Sequence, residues 1–220
     1  YYPQMLEVLR AMLLDALRTN DSLFFAVLTG CLCTVSESIF TELRIKSYTV
    51  SSVRFDEYFG FTDEEVCKLL ADYGLEDHYE ETRAWYDGYR FGEQDVYCPW
   101  DVLNYVYALR FNPQAQPKAY WINTSGNDMV RRLIEKGSDG TEQLEIERLI
   151  AGETITKTLN EQLTHNEVDA SIENIWSLLY MTGYLTAVDY PDGNRYELRI
   201  PNREVRQILS LIHISEPTRH

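Results

Sequence analysis

A chain of 220 residues with 45% hydrophobic content can bury one large core or two small ones, which excludes a disordered polypeptide. Its formal charge of −15 repels phosphate backbones and argues against a bare nucleic-acid-binding role. No apolar run is long enough to cross a bilayer, since even the Leu-rich stretch from Met5 to Leu17 carries Glu7, Arg10 and Asp15.

The first residue is Tyr and a helical pattern begins at once. The chain is therefore expected to be an internal piece of a longer cytoplasmic protein, with no signal peptide immediately ahead of it. Asp and Glu crowd the stretch from Asp56 to Asp95, whose only Lys and Arg are Lys68, Arg83 and Arg90, and this reads as a solvated helical face. Cys31, Cys33, Cys67 and Cys98 form no C-x-x-C pair and no zinc spacing with histidine, so reduced thiols and no metal site are expected. The sequons at Asn20 and Asn123 matter only in a secretory protein.

In chain order, Pro3 to Thr19 sets Met5, Leu9, Met12 and Ala16 on one stripe, predicting an amphipathic helix with Pro3 in its first turn. After Asn20-Asp21-Ser22 comes the apolar run Leu23 to Leu28, the pattern of an interior strand of an α/β sheet covered on both faces. Ligands in such sheets bind beyond the carboxyl ends of the strands, which makes Thr29 and Gly30 candidates. The same pattern is also that of any strand end followed by a turn. Val35 to Leu43 reads as a short helix or an ordered loop, and β-branched Thr49, Val50 and Val53 predict a second strand over Ser47 to Val53.

From Thr62 the chain is expected to be helical for about a hundred residues. Thr62 with Glu65 forms a capping box, and Gly74 is placed to end that helix. A second helix runs from about Glu76 to Tyr86 and stops at Gly88. A third starts at Pro99 and buries Val102, Leu103, Val106 and Tyr107. Asn112 to Pro117 breaks the chain, Ser125 with Asp128 caps a helix through Ile134, and Thr141 to Ile150 is helical until Gly152. Ile172 to Thr182 then reads as a helix closed by Gly183. Tyr184 to Asp189 and Arg195 to Ile200 flank the turn Pro191-Asp192-Gly193-Asn194, giving a helix followed by a hairpin and suggesting a winged-helix-like section.

No G-x-x-x-x-G-K-[ST] phosphate loop occurs in the chain. Pro191-Asp192 with Glu197-Leu198-Arg199 faintly echoes a PD-(D/E)xK nuclease pattern, but the Asp falls in a turn and the last residue is Arg. Trp85 to Gly92, WYDGYRFG, is either a helix end with aromatic anchors or a lid element that brings Arg90 towards a nucleotide, Arg being suited to developing phosphate charge. Tyr120 to Ser125 and Ile175 to Leu179 are expected to anchor the core and helix caps, and His78 and His165 to lie on the surface. The stretch LSLIHISEPTR, Leu209 to Arg219, breaks the character of the chain and looks like a translated sequencing adapter.

The blocks LTGCL, ESIFT, VRFDEYFGFTDEEV, WYDGYRFG, CPWDVLNY, YWINTSGND, IWSLLYMTGYL and IPNREV, in this order, resemble the predicted AAA-ATPase-like family of bacterial proteins from Tyr1 to about Ile208. The resemblance implies a mixed α/β, mostly helical chain. Residues 1–60 would be the end of a P-loop NTPase core, 61–165 a helical lid, 166–208 the winged-helix-like section, and 209–220 the adapter. It implies a phosphate loop and an acidic magnesium strand ahead of Tyr1, and often a nuclease-like domain after IPNREV. ATP and magnesium would bind the intact protein, water would attack the γ-phosphate there, and the present residues alone would be inactive. The resemblance makes Thr29 the polar sensor of the γ-phosphate, a catalytic and nucleotide-binding position, while Gly30 and Arg90 stay nucleotide-binding candidates from their local patterns. Two departures stand out: Cys33 and Ser36 replace the family's usual basic residues, and Glu42-Leu43-Arg44 replaces a loop rich in Gly and Asn. The alternative is a nucleotide-gated interaction or regulatory module with little turnover.

Overall fold

The computed structural model describes residues 2–30, 46–121, 140–163, 167–168, 170–171, 173–189 and 192–214. Among them, seven α-helices and two small antiparallel sheets make a mixed α/β protein. Helix α1 (Tyr2–Arg18) forms where the periodicity places it, with Met5, Val8 and Met12 exposed along it. The apolar run after it departs from expectation. Leu23 to Leu28 pairs with no strand among the described residues, Phe24 is fully exposed and Phe25 is 76% exposed. A strand exists only where a neighbour takes its N–H and C=O groups, and a local apolar pattern cannot supply one.

Ser47 to Val53 is likewise a turn rather than a strand. The Ser52 N–H donates to the Thr49 carbonyl at 3.0 Å, and the Thr49 N–H donates to Ser52 Oγ at 2.9 Å. Hydroxyl side chains here satisfy the backbone locally and outcompete a ladder. The readings for Val35 to Leu43, Cys31, Cys33, Asn123, the Ser125 to Ile134 helix and His165 fall outside the described residues.

A first core gathers around three helices. In α2 (Asp63–Asp72), Glu65 N–H donates to Thr62 Oγ1 at 3.3 Å and Thr62 N–H donates to Glu65 Oε2 at 3.0 Å, the capping box expected from sequence. A 3₁₀ turn at Glu76–His78 leads into α3 (Tyr79–Tyr86). The expected helical continuity then breaks, because β1 (Tyr89–Phe91) and β2 (Gln94–Val96) form a hairpin around Gly92 at φ +50°. Helix α4 (Pro99–Phe111) starts on Pro99 as predicted. Its buried face is Val102, Tyr105, Val106 and Leu109, whereas Leu103 and Tyr107 face out. Val66, Leu70, Tyr86 and Tyr97 complete this core.

A second core is built from α5 (Thr141–Ala151), β3 (Ile155–Thr158), α6 (Asn174–Met181), β4 (Thr186–Ala187), β5 (Arg195–Arg199) and α7 (Arg203–Ile214). The sheet order is β3-β5-β4, antiparallel throughout, with Ile155 opposite Leu198 and Thr186 opposite Arg199. Sequence reasoning missed β3, and α5 shares this core although it falls within residues 61–165, the expected lid. Along β5, Tyr196 and Leu198 point inward while Arg195, Glu197 and Arg199 stay exposed, the period-2 pattern of a one-sided strand. Asp192 and Arg195 exchange backbone hydrogen bonds at 3.1 and 3.2 Å, and Glu197 Oε1 accepts the Thr154 hydroxyl at 2.7 Å. The nuclease-like echo is therefore a hairpin turn and an outward-facing strand residue. Helix α7 runs into the adapter-like stretch, and Leu209 and Ile212 are buried in the core.

Candidate functional site

Thr29 and Gly30 lie exposed beyond the unpaired run, and no described hydrogen bond or ion pair joins them to another residue. Arg90, the other candidate, sits on β1 opposite Asp95, with Nη1 3.1 Å from Asp95 Oδ1. Its N–H donates to Thr186 Oγ1 at 2.8 Å, tying the hairpin to β4. No described contact brings Arg90 to Thr29. One hydroxyl and one flexible glycine, without a described cation beside them, do not by themselves fit a magnesium triphosphate and support no chemical step on their own.

The hairpin is held tightly against the second core. Gly88 has φ +108°, and a Cβ there would stand 2.2 Å from the Pro201 carbonyl oxygen, so only glycine fits this crossing. Gly183 supplies the left-handed turn at φ +83° that closes α6, with the Tyr89 and Trp121 rings in ordinary contact range. Between the hairpin, the start of α4 and the end of α6 lies a cleft of about 250 Å³. Tyr89, Arg90, Phe91, Trp121, Met181 and Thr186 are among its walls. The Thr182 hydroxyl there donates to the Leu178 carbonyl at 2.6 Å, so it is already engaged.

Behind that cleft is a feature no local motif announced. Asp101 and Glu204 are 2% and 1% exposed, and their carboxyls lie close enough for each to shift the other's protonation, with Asp101 Oδ1 buried and meeting no described donor. Each stands in the first turn of its helix, Asp101 in α4 and Glu204 in α7. Glu204 Oε1 accepts the Trp121 N–H at 2.8 Å. Burial, and then the neighbouring acid, push the Glu204 carboxyl up to about 8, and burial raises Asp101 as well. The Cys98 thiol lies beside Asp101 and is pushed up to about 12, chiefly by burial. In sequence the only trace was an acid in a helical first turn directly before a Val, within CPWDVLNY and IPNREV.

A third acid behaves oppositely. Asp63 accepts the Tyr97 and Tyr79 hydroxyls at 2.6 and 2.8 Å, and the Tyr97 bond above all holds its carboxyl below the usual range. His78, expected on the surface, is half-buried, with Nδ1 3.4 Å from the Tyr105 hydroxyl and 3.6 Å from Glu81. Among the described residues no group of three or more His, Cys, Asp or Glu side chains is placed to hold a metal ion, and no helix is long and apolar enough to cross a membrane.

No family model and no solved structure matches this chain. It is similar to a curated protein of Azotobacter chroococcum mcd 1, "Uncharacterized protein in vnfD 5'region", at 30% identity over 204 residues. That likeness covers 88% of this chain and 36% of the relative, so the chain spans little more than a third of the relative's length.

Proposed function

We propose that residues 1–208 supply the sensor strand, lid and accessory section of an AAA-ATPase-like protein whose complete form binds ATP with magnesium. The observation that carries this reading is the solvent-facing run Leu23 to Leu28 ending in Thr29-Gly30. Covering a Phe or Leu side chain is worth about 1.5–3 kcal/mol, so a run without alternation asks for cover on both faces. An interior strand position in a nucleotide-binding sheet, completed by residues outside 1–220, provides that cover and puts Thr29 at the sheet's ligand-binding edge. The ordered sequence blocks support the same assignment.

The accessory section is read as a winged helix. The strand order β3-β5-β4, with β3 and β4 flanking β5 and α6 packed on the sheet, supports a winged-helix-like arrangement, although α6 is the only helix described between β3 and β4. Ile175 to Tyr180 of α6 are all buried, which favours a scaffold over a helix that enters a nucleic-acid groove. The reading as a nucleotide-gated regulatory module with little turnover draws support from Arg90, whose Nη1 is paired with Asp95.

Phosphate release by a longer polypeptide that includes the residues ahead of Tyr1 tests the proposal. The expected result is turnover that falls at least tenfold on Thr29→Ala, with none from residues 1–220 alone. Tight ATP binding with negligible turnover selects the regulatory reading. A longer protein that binds no ATP, or hydrolysis by residues 1–220 that disappears on Thr29→Ala, contradicts the proposal.

A further inference from the structure

We infer that the Asp101–Glu204 carboxyl pair is a proton-held joint between the two hydrophobic cores, closed while the pair keeps a shared proton and loosened when both acids ionise. This rests on residues 86–121 and 202–206 and is independent of any nucleotide. Asp101 projects from α4, whose buried face belongs to the first core, and Glu204 from α7, which belongs to the second. The segment that crosses between them has the same division, since Tyr120 packs on the first core and Trp121 on the second. The Trp121 N–H ends on Glu204, so one carboxyl pair gathers α4, α7 and the crossing segment.

The surroundings support one negative charge and oppose two. Both acids lie in helical first turns, where the positive ends of α4 and α7 favour an anion. The titratable groups that face the pair are Tyr86 from α3, Tyr89 from β1, Cys98 at the start of α4 and Tyr120 from the crossing segment, with the amide of Asn202 facing Tyr89. All of these are neutral when protonated, and no Lys or Arg is among the described partners of either acid. A second carboxylate in so dry a site meets strong repulsion from the first.

The sign follows from the raised acid. Glu204 is held at about 8 in the closed structure against its ordinary 4.5. The stabilisation is therefore fully present below about 4.5 and is lost progressively as pH rises to about 8, after which it changes no further. Between these limits the open joint gains up to about tenfold over the closed one for each pH unit.

Carboxyl ¹³C NMR and amide hydrogen exchange on the 220-residue chain test the joint. The expected result is a Glu204 carboxyl that titrates near pH 8. Exchange protection at Trp121 and Val205, corrected for intrinsic rates, should fall by up to about tenfold per pH unit between pH 5.5 and 8. Glu204→Gln keeps a neutral acceptor for the Trp121 N–H and should make that protection independent of pH, and Asp101→Asn serves the same purpose if the first variant does not fold. Carboxyls that both titrate near their ordinary values of 3.8 and 4.5, or a protection slope unchanged by either substitution, overturn the inference.

Discussion

Leu23 to Leu28 and Ile175 to Tyr180 are runs of equal length and similar apolar character, yet the first faces solvent and the second is wholly buried. Helix α6 is covered because β3, β5 and β4 form a sheet whose inward residues Tyr196 and Leu198 share its core with Val205 and Ile208 of α7. Even its one polar member is engaged, with Ser177 Oγ accepting the Asn160 N–H at 2.8 Å. The run after α1 has no such cover among the described residues. Apolar sequence states a demand for burial, and only the elements brought alongside it meet that demand.

The sharpest way to break this contrast is to delete side chains from each run. Leu179→Ala should lower the stability of the 220-residue chain by about 2–5 kcal/mol in urea denaturation, since the site is fully enclosed. Phe25→Ala should change it by less than about 0.5 kcal/mol. Equal losses would mean that the two runs are covered alike. Next in size is Gly88→Ala, which forces a Cβ into the Pro201 carbonyl at positive φ and should cost about 1–3 kcal/mol in thermal melts. A neutral result there would mean that the hairpin is not pinned to the second core.

Thr62→Ala removes a cap on the first core alone and should cost about 1 kcal/mol, leaving exchange protection in the second core intact. The smallest expected effect is at Asp63. Its carboxyl is held low by Tyr97 and Tyr79, so its contribution is present above the ordinary value of 3.8 and fades as pH falls through the lowered one. Asp63→Asn should remove that acid-side slope, as followed by thermal melts between pH 2 and 5.

Features set by neighbours in the chain were legible in advance. The Thr62–Glu65 box, Pro99 at the start of α4, Gly152 and Gly183 closing α5 and α6, and the Asp192-Gly193 turn each depend on contacts within about four residues. What sequence missed depends on distant partners. Strand β3 exists because Arg195–Arg199 lies beside it, and the β1–β2 hairpin because Gly88 lets the chain cross Pro201. Leu103 and Tyr107 looked like core on period alone, but α4 is rotated so that Tyr105 and Leu109 take the inward face. The acid pair was invisible for the same reason: Asp101 and Glu204 are far apart in sequence and are brought together by helices that belong to different cores.

The exposed run with Thr29 at its tip is tested most directly by hydrogen exchange over Phe24 to Leu28. The amides should exchange quickly in the 220-residue chain. They should become strongly protected in a longer polypeptide that includes the preceding residues, with further protection at Thr29 and Gly30 on adding ATP with magnesium. Equally fast exchange in both proteins, unchanged by nucleotide, would contradict the assignment of this run as the sensor strand.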